Sequence, residues 1–354
     1  MFHVTMPWTA LLAAFVLALG LCWLVIRLGV KDAPDGARKD QPRPVATLGG
    51  LAIAGAHLLV ALLLMELQPP PRLTWGNGRW APGSIASYWP FIPAMGVLLI
   101  GMLDDLRPVP ASVRLIGLAA ICLATCAVAV RLGYFDLPDL PGWMLAGLVA
   151  GGALYMFVLL NATNFMDGSN GLAMGCAAIM LAVLAWLVAL PVWILVAAIA
   201  GFLVFNIAGV LYAGDGGALY AGFCIAALGL LGTSRAYSIW IPPLIALPFL
   251  TDVFMTLIWR ARRGQNLMQA HRDHAYQLFL RAGWGHLQVA ALWWAMTAAC
   301  GGLAIWVVLA APAVQPGYPL FRIEFAAFAG ALAASIGLWL VQRAVLGPRV
   351  SSAG

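Results

Sequence analysis

Charge is scarce in this chain: Asp, Glu, Lys and Arg make up 9% of its 354 residues, whereas hydrophobic residues make up 63%. Soluble globular domains carry about a quarter charged residues. With a mean hydropathy of +0.94, a water-soluble enzyme or binding module is excluded. Paired cysteines are also missing. Cys22, Cys122, Cys126, Cys176, Cys224 and Cys300 all sit in apolar runs with no Cys-x-x-Cys pair, which excludes a disulfide framework and a cysteine-based zinc site. Met1 to Gly20 has neither a basic leader nor a small-residue cleavage motif, so the first apolar run is expected to remain as a helix. No soluble domain, repeat or low-complexity segment stands out. Acids deep inside apolar runs are nearly absent. Only Asp252 approaches mid-bilayer depth, which argues against a transporter path lined with charge and suits a helix–helix hydrogen bond. His3, His57 and Glu66 read as interfacial or structural.

What is present is hydrocarbon-compatible sequence in lengths of about 20 residues, enough to cross a bilayer. Such windows fall near 7–29, 48–67, 87–103, 115–132, 143–160, 171–190, 191–210, 218–232, 240–259, 287–311 and 324–346. The expected fold class is therefore all-α: a polytopic integral membrane protein with about 11 transmembrane helices (10–11), forming one domain over 1–354. If the loop near 30–47 is cytoplasmic, so are those near 104–114, 161–170, 211–217 and 260–286, and the C-terminal tail. These segments and their flanks hold fourteen of the nineteen Lys and Arg residues, leaving Arg72, Arg79, Arg131, Arg235 and Arg322 opposite. By the positive-inside rule the N-terminus is then periplasmic and the C-terminus cytoplasmic. The net charge of +6 reads as loop charge beside anionic lipid, with no nucleic-acid partner.

Acids have no topological reason to favour one face, yet Asp32, Asp35, Asp40, Asp104, Asp105, Asp167, Asp215 and Asp273 all fall on the basic one. Carboxylates, amides, glycines and bases gathered there suit a soluble, anionic, metal-bound substrate. The densest stretch is Asn161 to Ala173, where Asn161, Asn164, Asp167 and Asn170 recur every third residue and Gly168 and Gly171 leave room for close approach. Asp104-Asp105 are adjacent acids that need a cation, either a metal ion or an arginine such as Arg114. A plain membrane-edge cap is the alternative. Gly214-Asp215-Gly216-Gly217 opens an apolar run, and such a helix start favours anions, although this tetrapeptide is more often a simple turn. His271-Arg272-Asp273-His274-Ala275-Tyr276-Gln277 follows the basic run at Arg260, Arg262 and Arg263, and suits phosphates better than zinc. Lys31 to Pro44, ending in Gly49-Gly50, is a stiff basic loop.

In this order the motifs resemble those of the polyprenyl-phosphate N-acetylhexosamine-1-phosphate transferases, the superfamily of phospho-MurNAc-pentapeptide translocase and of the undecaprenyl-phosphate sugar-1-phosphate transferases that initiate O-antigen and related glycans. The components are Asp-x-Pro, Arg-Lys and Gly-Gly within 32–50, Leu-Asp-Asp at 103–105 with Arg114, the Asn/Asp-rich stretch 161–173, Phe-Asn and Gly-Asp-x-Gly within 205–217, and the segment 271–277, which is closest to the O-antigen branch. Gln41 stands where many members carry His, and Asn170 where Asp is common. The resemblance implies an Mg²⁺-dependent transfer, with Mn²⁺ as the alternative ion, of a sugar-1-phosphate from a UDP-N-acetyl-aminosugar to undecaprenyl phosphate at a bacterial inner membrane, with UMP released. It implies metal binding by Asp215 and Asn164, catalytic roles for Asp104, Asp105, Asp167 and Asp215, uracil contact by Asn170, and phosphate binding by Arg114, Arg38, Lys39, His271, Arg272 and His274. A homodimer is compatible with it. The competing readings are a membrane lipid-diphosphate phosphatase and, further off, a transporter.

Overall fold

The computed structural model describes residues 8–32, 44–67, 89–133, 135, 140–187, 191–233, 237–267, 269, 271–310 and 319–351. The fold is helical, as hydrocarbon requires of a spanning chain whose backbone must satisfy its own hydrogen bonds. In chain order the helices are α1 (Trp8–Leu28), α2 (Gly49–Leu67), α3 (Phe91–Leu106), α4 (Ala111–Arg131), α5 (Gly142–Phe165), α6 (Leu172–Leu187), α7 (Pro191–Ile207), α8 (Gly214–Leu231), α9 (Ile241–Ile245), α10 (Leu247–Arg262), α11 (Ala275–Arg281), α12 (His286–Ala310) and α13 (Pro319–Ser351). The departures from all-α among the described residues are a two-residue antiparallel pair, β1 (Lys31–Asp32) with β2 (Val45–Ala46), at the ends of the first basic loop, and a single parallel bridge from Ala46 to Leu211.

Every apolar window falls on a helix. Among the described residues, six helices, α1, α4, α5, α8, α12 and the Ile323–Gly347 part of α13, are long and apolar enough to cross a membrane, with shorter apolar helices at Gly49–Leu64, Leu172–Leu187 and Val192–Ile207. The window at 240–259 is divided: prolines at 242, 243 and 248 interrupt the amide ladder, and the chain breaks at Ala246 between α9 and α10. α11, within the stretch read as a loop over 260–286, is a single buried element that the apolar pattern does not announce.

At the centre lies α8, buried continuously from Gly216 to Gly229 and packed by α2, α3, α5, α6 and α9. The outer helices keep bare apolar faces, for example Trp8, Leu154, Trp306 and Leu340, as lipid contact demands. No hydrophobic force drives helices together inside lipid, so close packing of small residues does this work. α8 is built for it. A Cβ on Gly50 of α2 would lie 2.4 Å from the Gly217 amide nitrogen, and one on Gly101 of α3 would lie 2.5 Å from that of Gly216. The starts of α2 and α8 and the end of α3 thus meet backbone to backbone, leaving their polar ends side by side.

Gly101→Ala forces a Cβ into backbone and is expected to cost about 1–3 kcal/mol. Gly147→Ala on α5, where a Cβ meets nothing within 4 Å, is expected to be neutral or slightly stabilising. Thermal unfolding of the purified variants checks this, and equal midpoints for both would refute the packing account.

Candidate active site

α3 carries its two acids in the last turn and ends where Arg107 turns extended. The Asp105 carboxylate accepts the backbone N–H of Asp215 at Oδ1 (2.9 Å) and that of Gly216 at Oδ2 (3.1 Å). This carboxylate caps the first turn of α8, where amides lack partners and the helix dipole favours an anion. The chain's own Asp105 thus meets the first free amides of this helix start, with its carboxyl pushed up to about 7 by burial and then by Asp215. Gly214 is required beside it, since its φ is +74° and a Cβ would lie 2.4 Å from Asp105 Oδ2.

Asp104 faces the other way. Its Oδ1 accepts the Val109 amide (2.9 Å) and its Oδ2 pairs with the guanidinium of Arg114, in the first turn of α4. The same Arg114 Nη1 reaches Asp215 Oδ2 at 2.6 Å. One guanidinium thus joins acids that stand 111 residues apart in the chain. The metal-or-arginine alternative for Asp104-Asp105 resolves unevenly. Arginine meets Asp104, and backbone amides meet Asp105.

The first loop is stitched to this junction. Tyr212 N donates to Ala46 O (2.8 Å), Gly49 N to Tyr212 O (2.9 Å) and Gly50 N to Ala213 O (2.9 Å). Arg38 and Lys39 lie outside the described residues.

The Asn-rich stretch divides by depth. Asn161 is buried in α5 and donates to Phe157 O one turn back (2.8 Å), so its amide N–H is spent on the helix. Asn164 and Asp167 are half-buried around the end of α5. Asp167 lies close enough to Asp215 and Asp105 that burial first, and then those two charges, push its carboxyl up to about 7. Asn170 sits against Gly209, where a Cβ would be 3.0 Å from its Nδ2, so it faces the α7–α8 turn. Asn206 is a residue whose role motif reading leaves open: buried, it accepts the Gly171 amide (2.7 Å) and donates to Leu211 O (2.9 Å), tying two loops together.

The segment 271–277 lies against the end of α5. Tyr276 Oη donates to Phe165 O (3.2 Å), and the His274 ring stacks 6.4 Å from that of Phe165. Arg260 pairs with Asp273 and reaches Asn266 O (2.8 Å). His271 and Arg272 are half-buried beside them. Burial, then the neighbouring His274 and Arg260, lower His271 to about 4 against the pull of Asp273. These surroundings hold His271 toward the neutral imidazole.

Carboxylate and amide oxygens are hard donors suited to Mg²⁺, and Asp104, Asp105, Asp167 and Asp215 share one junction with Arg114. The charges of Asp215 and Asp105, which after burial help raise Asp167, fit a cation. No group of three or more His, Cys, Asp or Glu among the described residues is arranged to hold a metal ion. Arg114 bridges Asp104 and Asp215 in the position where a cation would offset them.

Residues 89–233 match the model of glycosyl transferase family 4. The chain is 24% identical over 280 residues to a probable undecaprenyl-phosphate N-acetylglucosaminyl 1-phosphate transferase of Bacillus subtilis (strain 168), covering 74% of this chain and 73% of that protein. It is 27% identical over 318 residues to a phospho-N-acetylmuramoyl-pentapeptide-transferase of Synechococcus sp. (strain JA-3-3Ab), covering 83% and 88% respectively. These comparisons reach the superfamily that the motifs resemble.

Because the folded pKa of Asp167 is raised from 3.8 to about 7, its protonated form favours the fold. With divalent cations chelated, stability should fall as pH rises from about 4 to about 7, and level off above. Asp105, raised to about 7 by burial and then by Asp215, shares this loss; Asp167→Asn removes the part that belongs to Asp167, so near pH 8 with a chelator its unfolding midpoint is expected above that of the unsubstituted chain. A lower midpoint would contradict the shared-charge reading.

Proposed function

We propose that this chain is a polyprenyl-phosphate sugar-1-phosphate transferase acting on a UDP-N-acetyl-aminosugar and undecaprenyl phosphate. An oxygen of the lipid phosphate forms a bond to the β-phosphorus, the bond from that phosphorus to the bridging oxygen breaks, and UMP leaves with the electron pair. The products are undecaprenyl-diphospho-sugar and UMP, the first step of a cell-surface glycan. The observation that carries the reading is Arg114 shared between Asp104 and Asp215: a cation held by acids from two segments, at the polar end of lipid-facing helices. One reactant reaches such a place from the bilayer and the other from water.

Catalysis in phosphoryl transfer is mostly positioning and charge stabilisation. Asp105 spends both oxygens on α8 and so fixes Asp215. Asp104, oriented by the Val109 amide, orients the attacking lipid phosphate or takes its proton. Arg114 exchanges a carboxylate for a phosphate oxygen when substrate enters. Arg272 and His274 hold the diphosphate from the side of Asp167. Asp215 and Asn164, supported by Asp167, would hold Mg²⁺, or Mn²⁺ in its place. When bound, that ion offsets the charge of the diphosphate and of its transition state.

The arrangement of charge supports eleven spans with the N-terminus periplasmic and this site facing the cytoplasm of a bacterial inner membrane.

Purified protein given radiolabelled UDP-GlcNAc, undecaprenyl phosphate and Mg²⁺ is expected to yield UMP and a lipid-linked sugar. Release of inorganic phosphate from a lipid diphosphate, without transfer, would favour the phosphatase reading. Asp215→Asn should lower turnover by at least about 10²-fold and abolish any rise in the unfolding midpoint that Mg²⁺ gives the unsubstituted chain. Near-native turnover would remove Asp215 from the metal site.

A further inference from the structure

Asp252 is an acid in the middle of α10 with 2% of its surface exposed. An isolated carboxylate there would be costly. Its partners come from three elements. Oδ1 accepts the Ala275 amide (2.7 Å), the Thr256 hydroxyl (3.2 Å) and the Trp339 indole N–H (3.3 Å), while Oδ2 accepts the Tyr276 amide (3.4 Å). His274 Nδ1 stands 3.6 Å from Oδ1. The helix–helix bond read from the sequence is real, since Trp339 belongs to α13. Yet most of the partners lie in 274–276, so the carboxylate mainly holds that segment.

The hold continues past the carboxylate. Tyr276 Oη donates to Phe165 O, the last residue of α5, and occupies the space over Gly168, where a Cβ would lie 2.1 Å from that oxygen. Trp293 closes the ring from the side, edge-on at 6.4 Å. Asp167 sits between these two contact points. On the far side, Arg343 of α13 donates to Asp273 O (2.5 Å) and stacks 3.6 Å over Trp259 of α10. The segment is thereby gripped by α10 and α13 and pressed onto the turn that carries Asp167. A buried charge is weak evidence for stability, because apolar packing in its place often stabilises as well. What this one secures is geometry.

We propose that Asp252 is a positioning residue: it sets the place of the 271–277 segment and, through Tyr276, the place of Asp167, without touching substrate. This rests on the proposed transfer reaction for its kinetic consequence but not for its structural one. It predicts that the polar donor, held from the 271–277 side, feels the loss of Asp252, whereas the lipid acceptor does not.

Asp252→Asn keeps the shape and one acceptor but turns an N–H toward an amide. Backbone hydrogen exchange in the full-length protein is expected to quicken by about tenfold or more in both 271–281 and 163–171, with α8 unchanged. Turnover divided by KM for UDP-GlcNAc should fall about 10–100-fold, with KM for undecaprenyl phosphate unchanged. Exchange unaltered in 163–171, or equal losses for both substrates, overturns the proposal. If the unsubstituted chain transfers no sugar, the transfer reading fails and the exchange result still decides the positioning. Should Asp252→Asn not fold, Tyr276→Phe cuts the link downstream: exchange should rise in 163–171 and stay unaltered in 271–281, and no rise in 163–171 refutes the link.

Discussion

The carboxylate of Asp105, gripped by the first amides of α8, is the constraint on which the rest of the site depends. It locks the end of α3 to the start of α8, so that Asp104 on one and Asp215 on the other fall within reach of a single arginine. Each half of the lock supports the other. Without the backbone contact of Gly101 with Gly216, the carboxylate could not reach the amides. Without an acid there, the buried start of α8 would leave donors unsatisfied.

The membrane explains why the arrangement takes this form. Polar groups collect at the ends of helices because lipid tolerates them nowhere else, and the helix with the most neighbours is the one richest in small residues. α8 is surrounded on all sides and delivers Asp215 from the middle of the bundle, while α1, α4, α5, α12 and α13 turn one face to lipid. Two buried acids that lie away from that junction are handled differently. Asp252 is surrounded by N–H and O–H donors, and Glu324 accepts the Ser238 amide at 2.8 Å, so both act as internal fasteners.

The residues that meet are readable from the pattern: acids crowded on a face with no topological need for them are conspicuous at Asp104, Asp105, Asp167 and Asp215. Apart from Arg114, their partners are not. Asn161, Asn164, Asp167 and Asn170 recur every third residue, but the helix runs on through Asn161, whose amide bonds a carbonyl of its own helix. Asn170 is carried round the turn toward Gly209. The imidazole of His271 is held toward the neutral form by its burial and then by the neighbouring His274 and Arg260, none of which its place in the sequence announces.

The sequence alone determines where hydrocarbon-compatible helices run and which residues are left over for polar work, because both follow from local composition and the thickness of a bilayer. It also marks Asp252 as an acid that must be satisfied. Only the tertiary structure decides which donor meets which acid, that Asp105 serves a helix end while Asp104 meets arginine, and that Tyr276 rests over Gly168. Those outcomes turn on contacts of about 3 Å between segments about a hundred residues apart, and such distances are set by how closely helix backbones pack.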